Sequence, residues 1–385
     1  MNLSQSFYEY LCRKYPKLQD EALQNAIAPN LLSPHHIVLP SRLQKDITNT
    51  IQAFQNLRES SSYQQWIARK WGPQFAPGNH SLFMSYDFHI DERGRLKIIE
   101  INTNASFLGL GWEMNQFLKM PWNADFQISD LKKCFLKELE LADYKKPLKK
   151  IVITDEYPSQ QRLYLEFVLY REIFKNFGFD CEIADVREVE KLKSAQLIYN
   201  RSTDFYMEEP QTQTLKEIYL HKLAVVSPQS YEYRLLADKE NFIDWSRPEF
   251  WNEVTLDSKS FDTIQSVLPM TRELNAANKD EIWTQRKNLF FKPKRAFGSK
   301  SAYRGGSISH KAFEDLVQHQ SLAQEMVHAP ELELPTPTGP QKFKYDLRCY
   351  AYGSQYQGTV ARIYQGQVTN LRTEGGGFAP VIFKD

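Results

Sequence analysis

The chain has 385 residues, with 48 Lys and Arg against 47 Asp and Glu, a formal net charge of +1. At 42% hydrophobic and 25% charged residues it has the balance of a globular protein with a large core and room for two or three domains. Near-neutrality gives no electrostatic case for nucleic acid or an anionic membrane, no apolar run is long enough to span a bilayer, and the polar N-terminus MNLSQSFYEYLCRKYPKL lacks the apolar core of a secretory leader.

The four cysteines (Cys12, Cys134, Cys181 and Cys349) are far apart and show no CxxC spacing, the pattern of reduced thiols in a cytoplasmic protein. Residues 1 to about 80 carry Tyr8, Leu11 and Tyr15, then Leu43, Ile47, Ile51, Phe54 and Leu57, at helical spacing; a proline-rich stretch, 28–40, separates the two helices. The stretch DFHIDERGRLKIIEINTN (87–104) reads as a hairpin that turns at Gly94. Glu100 and Asn102 share one strand face, and Asp87 lies on the paired strand. Two carboxylates and a carboxamide form an all-oxygen set suited to Mg²⁺. The small residues after it, Ala105, Ser106, Gly109 and Gly111, let backbone approach a ligand, and a helix is expected over 111–118.

From 148 to 230 strand runs at 149–155, 181–186, 197–200 and 224–227 alternate with helical stretches at 159–178 and 211–221, which predicts a small parallel α/β domain. Asp155, Asn200-Arg201 and Ser227-Pro228 then fall at the carboxyl ends of strands, where such sheets bind ligands, so Arg201 and Asp204 are substrate candidates. From 280 the chain turns to short strands and glycine turns. Lys292 ends the apolar run Leu289-Phe290-Phe291, which implies a specific anion. Lys294 shares its face by strand period, although Pro293 interrupts the ladder. The loop RAFGSKSAYRGG supplies glycines, hydroxyls and cations, among them Gly298 and Ser299, for phosphate oxygens. ELELPTPTGP (331–340) reads as a proline-rich loop. Asp346, Arg348, Tyr350 and Tyr352 alternate on one strand and Arg362 and Tyr364 on the next, a face rich enough in arginine for phosphate or carboxylate. His89 reads as an ordinary strand residue.

The D-x12-E-x-N hairpin resembles the metal-binding end of ATP-grasp ligases, and IEINTNASFLGLG is similar to the eukaryotic-type glutathione synthetases, a circularly permuted branch. The resemblance implies an α/β (α+β) fold of that permuted kind, with N-terminal helices and hairpin in 1–147, an inserted parallel α/β substrate domain in 148–230, and the nucleotide-binding portion in 231–385. It implies ATP and Mg²⁺ as cofactors, with Mg²⁺ at Asp87, Glu100 and Asn102. Lys292, Lys294 and Lys239, with the loop of Gly298 and Ser299, would hold the phosphates. The strand with Gln324, Glu325 and Val327 would receive the base. Arg372, Arg348 and Arg362 would act on the reacting groups, and Ser106, Arg201, Asp204 and the loop Gly375, Gly376 and Gly377 would hold a carboxylate and an amine substrate of amino-acid or peptide type. Two departures stand out: Ala296 where the family has a metal-binding Glu, and Ser85 where it has an Arg. The expected activity is ATP-dependent carboxylate–amine ligation through an acyl-phosphate, with ADP and phosphate released. A phosphotransferase and a non-catalytic nucleotide-binding regulator are the alternatives. Small molecules are the expected partners, and a homodimer is left open.

Overall fold

The two ends of the chain build one sheet. In the structure, a computed structural model that describes residues 2–72, 75–295, 302–319, 321–336 and 339–385, the strands in chain order begin with β1 (Ile37–Leu39), β2 (Met84–Ile90) and β3 (Leu96–Asn102). Next come β4 (Lys150–Asp155), β5 (Asp180–Asp185), β6 (Leu197–Asn200) and β7 (Val225–Ser227). Then follow β8 (Thr271–Leu274), β9 (Leu289–Pro293), β10 (Tyr303–Arg304), β11 (Ser321–Glu325) and β12 (Glu331–Leu334). The last are β13 (Gln341–Tyr352), β14 (Gln355–Tyr364) and β15 (Gly377–Phe383). The large sheet runs β1-β15-β14-β13-β2-β3, with β12 added on β13. A small antiparallel sheet runs β10-β9-β11-β8, and an all-parallel sheet runs β5-β4-β6-β7.

Both faces of the large sheet carry core residues. On one face Tyr86, Phe88, Leu347 and Cys349 meet the helix Ser41–Glu59, whose Leu43, Ile47, Ile51, Phe54 and Leu57 form the inward stripe expected from their spacing. On the other, Tyr350 and Val360 join a core that includes the helices Leu108–Phe117 and Tyr164–Asn176. Asp155, Asn200 and Ser227 end β4, β6 and β7, as their positions in the sequence imply. All four cysteines are free thiols. Among the described residues, no helix is long and apolar enough to cross a membrane.

Two local expectations change. ELEL, read as loop, is strand β12, registered with Leu334 opposite Gln341; its strict alternation outweighs the prolines that follow. The helix expected over 111–118 starts at Leu108 and contains Gly109 and Gly111. These glycines admit protein rather than ligand. A Cβ on Gly109 would lie 2.7 Å from the Tyr170 ring, and one on Gly111 would lie 3.0 Å from Val360. The Gly109 N–H also donates to Tyr170 Oη at 2.8 Å. Gly109→Ala should therefore destabilise the protein by about 1–3 kcal/mol through overpacking, although alanine is the better helix former. Urea denaturation with an unchanged midpoint would show that Tyr170 yields freely.

Candidate functional site

A cavity of about 680 Å³ opens between the hairpin end of the large sheet and the small antiparallel sheet. Its wall includes Glu100, Lys239, Lys292, Gln324, Arg304 and Arg362. Each lysine arrives by an identifiable local device. Lys292 closes β9 after Phe291, which is fully buried. Its ammonium donates to Gln324 Oε1 at 2.9 Å and to the Ile99 carbonyl at 3.0 Å. That carbonyl is available because the β2–β3 register shifts after Asp87, pairing Phe88 with Ile98 and leaving Ile99 as the extra residue of a bulge. Burial pushes the Lys292 ammonium down to about 8, with Lys239 adding to the fall and Glu100 opposing it. Lys239 follows a wide helical turn over Tyr233–Ala237, closed by the Asp238 N–H on the Tyr233 carbonyl at 2.9 Å. Such widened turns recur at functional sites. Burial lowers Lys239 as well, and Glu100 opposes the shift. Two partly buried cations thus face one carboxylate across an open space.

The hairpin acids divide. Asp87 and Glu100 are directly paired in the register. Asp87 is 1% exposed. Its carboxylate accepts from Arg348 Nε at 3.1 Å and Nη2 at 2.7 Å, from Arg362 Nη2 at 2.8 Å and from Ser85 Oγ at 3.0 Å. Burial alone would raise its pKa, but the two guanidinium groups outweigh it and hold the carboxyl below the usual range. Arg362 also forks onto Asp346 at 2.7 and 3.0 Å. Asp87 is thus the anchor of an arginine network and has no lone pair to spare for a metal, contrary to the expected role. Among the described residues Glu100 accepts only a long bond of 3.3 Å, from Asn102 Nδ2. Among the described residues no group of three or more His, Cys, Asp or Glu could hold a metal ion. Glu100 and Asn102 do fit an ion that brings its own phosphate ligands, since Mg²⁺ commonly takes one or two protein donors and keeps waters.

Several sequence candidates fall elsewhere. Lys294 turns off the wall to Glu273 at 2.6 Å and Glu240 at 3.6 Å, because Pro293 ends the strand between the two lysines. Arg348 is buried on Asp87 and does not line the cavity. Arg372 is exposed, and among the described residues only its backbone N–H is engaged, on Asn370 Oδ1. Gly375–Gly377 form a packed turn into β15 rather than a loop over the cavity. Gly377 has φ +114°, and a Cβ there would lie 2.5 Å from the Asn30 carbonyl. Asp204 is used locally, accepting from Glu209 N and Thr212 Oγ1. Arg201 reaches Tyr199 Oη and the Ala105 carbonyl, each at 3.2 Å, beside Ser106, whose carbonyl accepts Tyr350 Oη at 2.9 Å. Next to Arg201, burial raises the Asp155 carboxyl to about 7, and Arg201 opposes the rise. Gln324 holds Lys292, and the Glu325 N–H goes to the Met270 carbonyl at 2.7 Å. Gly298, Ser299 and Ala296 lie outside the described residues.

Sequence reasoning gave His89 and Thr369 no role in the site, and noticed Asp346 only as part of a polar strand face. His89 lines the cavity and bonds through Nδ1 with the carbonyl of Val327, in the connection between β11 and β12, at 2.9 Å. Its signal was its place two residues from Asp87. Asp346 was visible in the alternation of β13. Thr369, which donates to Asp346 at 2.5 Å, sits in a loop and carried no periodic signal.

No family model matches the sequence, and no curated protein does. Solved structures do match. A glutathione synthetase-like effector from Globodera pallida superposes with a TM-score of 0.57 over 92% of this chain and 90% of that one, at 9% identity. A putative gamma-glutamylcysteine synthetase from Methylobacillus flagellatus KT aligns over 87% and 84% of the two chains at 10% identity, with a TM-score of 0.45, too low to carry weight. The chain shares the mixed α/β fold of a glutathione synthetase-like protein.

Proposed function

We propose, from a fold of the glutathione synthetase-like, ATP-grasp kind, that this chain is an ATP-dependent carboxylate–amine ligase. One observation carries it: Lys292 and Lys239 converge, partly buried, on a cavity large enough for a nucleotide, with Glu100 opposite. A lysine drawn out of bulk water is costly without an anion, and a polyphosphate is an anion that two of them can share. The substrate carboxylate would attack the γ-phosphorus, with ADP leaving; the amine would then attack the acyl carbon, with phosphate leaving. Lys292 and Lys239 would bind the phosphates. Arg362, already held by Asp87 and Asp346, would present a fixed donor at the cavity edge, which costs no reorganisation during reaction. Arg201 and Ser106 would face an amino-acid or peptide-like substrate. Mg²⁺ carried by the triphosphate would meet Glu100 and Asn102 and supply charge neutralisation.

Glu100→Gln should lower turnover by about 100-fold or more while leaving the circular dichroism spectrum unchanged, since a lost charge at a phosphoryl centre removes several kcal/mol of transition-state stabilisation. Unchanged ADP release would remove Glu100 from the site. A non-catalytic nucleotide-binding role is favoured by the engagement of Asp87 with arginine and by Ala296. Screening carboxylate and amine pairs for ADP release separates the two: nucleotide binding without release under any pair supports the second.

A further inference from the structure

We propose that Gln324 and Thr271 are positioning residues for the nucleotide: together they hold a neutral acceptor against Lys292, so the ammonium keeps its place and its whole charge for a phosphate oxygen. This deepens the nucleotide reading above and rests on it. Strand pairing brings the three together. Gln324 on β11 is registered with Thr271 on β8, and Leu322, two residues back, is registered with Lys292 on β9. Directly opposed residues share a sheet face, so Gln324 lies beside Thr271 and diagonal to Lys292, within reach of two long side chains. Gln324 is 4% exposed and Thr271 1%.

The direction of each hydrogen bond along this line is forced. Thr271 Oγ1 is 3.0 Å from the Pro269 carbonyl, which can only accept, so the hydroxyl proton points there. The lone pairs of Oγ1 are left to accept, and Gln324 Nε2 donates to them at 3.2 Å. That turns the Gln324 amide so that Oε1 faces Lys292, whose ammonium donates to it at 2.9 Å. An ammonium has only donors, so the order agrees at both ends. A flipped amide would set its own N–H groups against the ammonium. The Thr271 N–H donates to Ser246 Oγ at 2.9 Å, and Ser246 Oγ donates to the Phe242 carbonyl at 2.7 Å, which ties the start of β8 to the helix Glu240–Trp245. A carboxylate in place of the amide would hold Lys292 equally well but cancel its charge. An apolar side chain would leave the ammonium without a fixed place. An amide oriented by a hydroxyl avoids both.

The test uses the whole protein and a fluorescent ATP analogue with Mg²⁺, alongside urea denaturation. Thr271→Val keeps the shape and removes the acceptor that orients Gln324. Analogue affinity should fall by about tenfold, a size usual for residues coupled in one hydrogen-bond network. Thr271→Ser restores the hydroxyl and should come within about threefold of the wild type. In a Lys292→Met background Thr271→Val should change affinity by less than about twofold, because the group it positions is gone. Gln324→Glu should lose about tenfold or more with the urea midpoint kept, since the new carboxylate claims the charge of Lys292. Wild-type affinity in Thr271→Val or in Gln324→Glu, or an equal loss from Thr271→Val with and without Lys292, would overturn the proposal and leave the nucleotide reading standing. Failure of the analogue to bind the wild-type protein would overturn both. Gln324→Glu decides the matter if Thr271→Val misfolds.

Discussion

Replacing Lys292 with methionine should weaken binding of an ATP analogue by about 100-fold, whereas Lys294→Ala should change it by less than about threefold. The first figure corresponds to about 2.7 kcal/mol, within the range of a charge-assisted hydrogen bond formed away from water. Lys292 is on the cavity wall and its two protein partners are neutral oxygens, the Ile99 carbonyl and Gln324, so its charge is uncompensated at contact distance. Lys294 spends its charge on Glu273 and Glu240. Methionine keeps most of the aliphatic stem, which separates loss of charge from loss of packing. The same lysine sets a pH dependence. Burial places its pKa near 8, so it is charged at pH 7 and neutral well above pH 8. A neutral amine attracts the triphosphate less, so wild-type affinity should fall as pH rises past about 8, and Lys292→Met should lack that limb. Fluorescent-nucleotide titrations at several pH values give both results. Equal losses in the two lysine variants would move the phosphates away from the end of β9.

What the sequence disclosed and what it hid have a common physical basis. Strand period and apolar runs placed the hairpin, the parallel sheet and the end of β9, because local side-chain alternation is fixed by the backbone. Lys292, at the end of an apolar run, and Glu100, on one strand face with Asn102, were legible for that reason, whereas Lys239 was expected only from the family resemblance. The partners of charged groups were not legible. Asp87 pairs with Arg348 across 261 residues of chain and with Arg362 across 275, and no local pattern shows that a carboxylate has been claimed by a distant guanidinium. Glycine was ambiguous in the same way. Gly109 and Gly377 look like ligand-approach or lid residues in sequence, but the group that approaches them is Tyr170 in one case and the Asn30–Leu32 backbone in the other. His89 was undervalued because its role depends on Val327, 238 residues away in the connection between β11 and β12.

The Asp87 network should dominate the stability of the large sheet. Asp87→Ala should cost about 3–5 kcal/mol, the usual penalty for removing one partner of a buried ion pair, since Arg348 then keeps its charge without a counter-ion. Arg348 is about as buried as its partner, and β13, which carries it, pairs with β2 and β14, so the strain falls on the centre of the sheet. Removing both partners in Asp87→Ala/Arg348→Met should recover part of the loss, because the unpaired charge goes with the second substitution. A double-mutant cycle in urea, with EDTA and without nucleotide, measures the coupling. Acid titration gives an independent arm. The arginines hold the Asp87 carboxyl down near 2 against the opposing effect of burial, compared with about 4 in an unfolded chain. Asp87 therefore binds its proton less readily when folded. The stability it supplies is complete above about pH 4 and is lost as pH falls from there toward 2. In Asp87→Asn that part of the acid limb should be flatter. A residue kept for metal would behave differently: with EDTA present and no nucleotide, replacing it would leave the urea midpoint and the acid limb where they were, and that outcome would return Asp87 to the metal site.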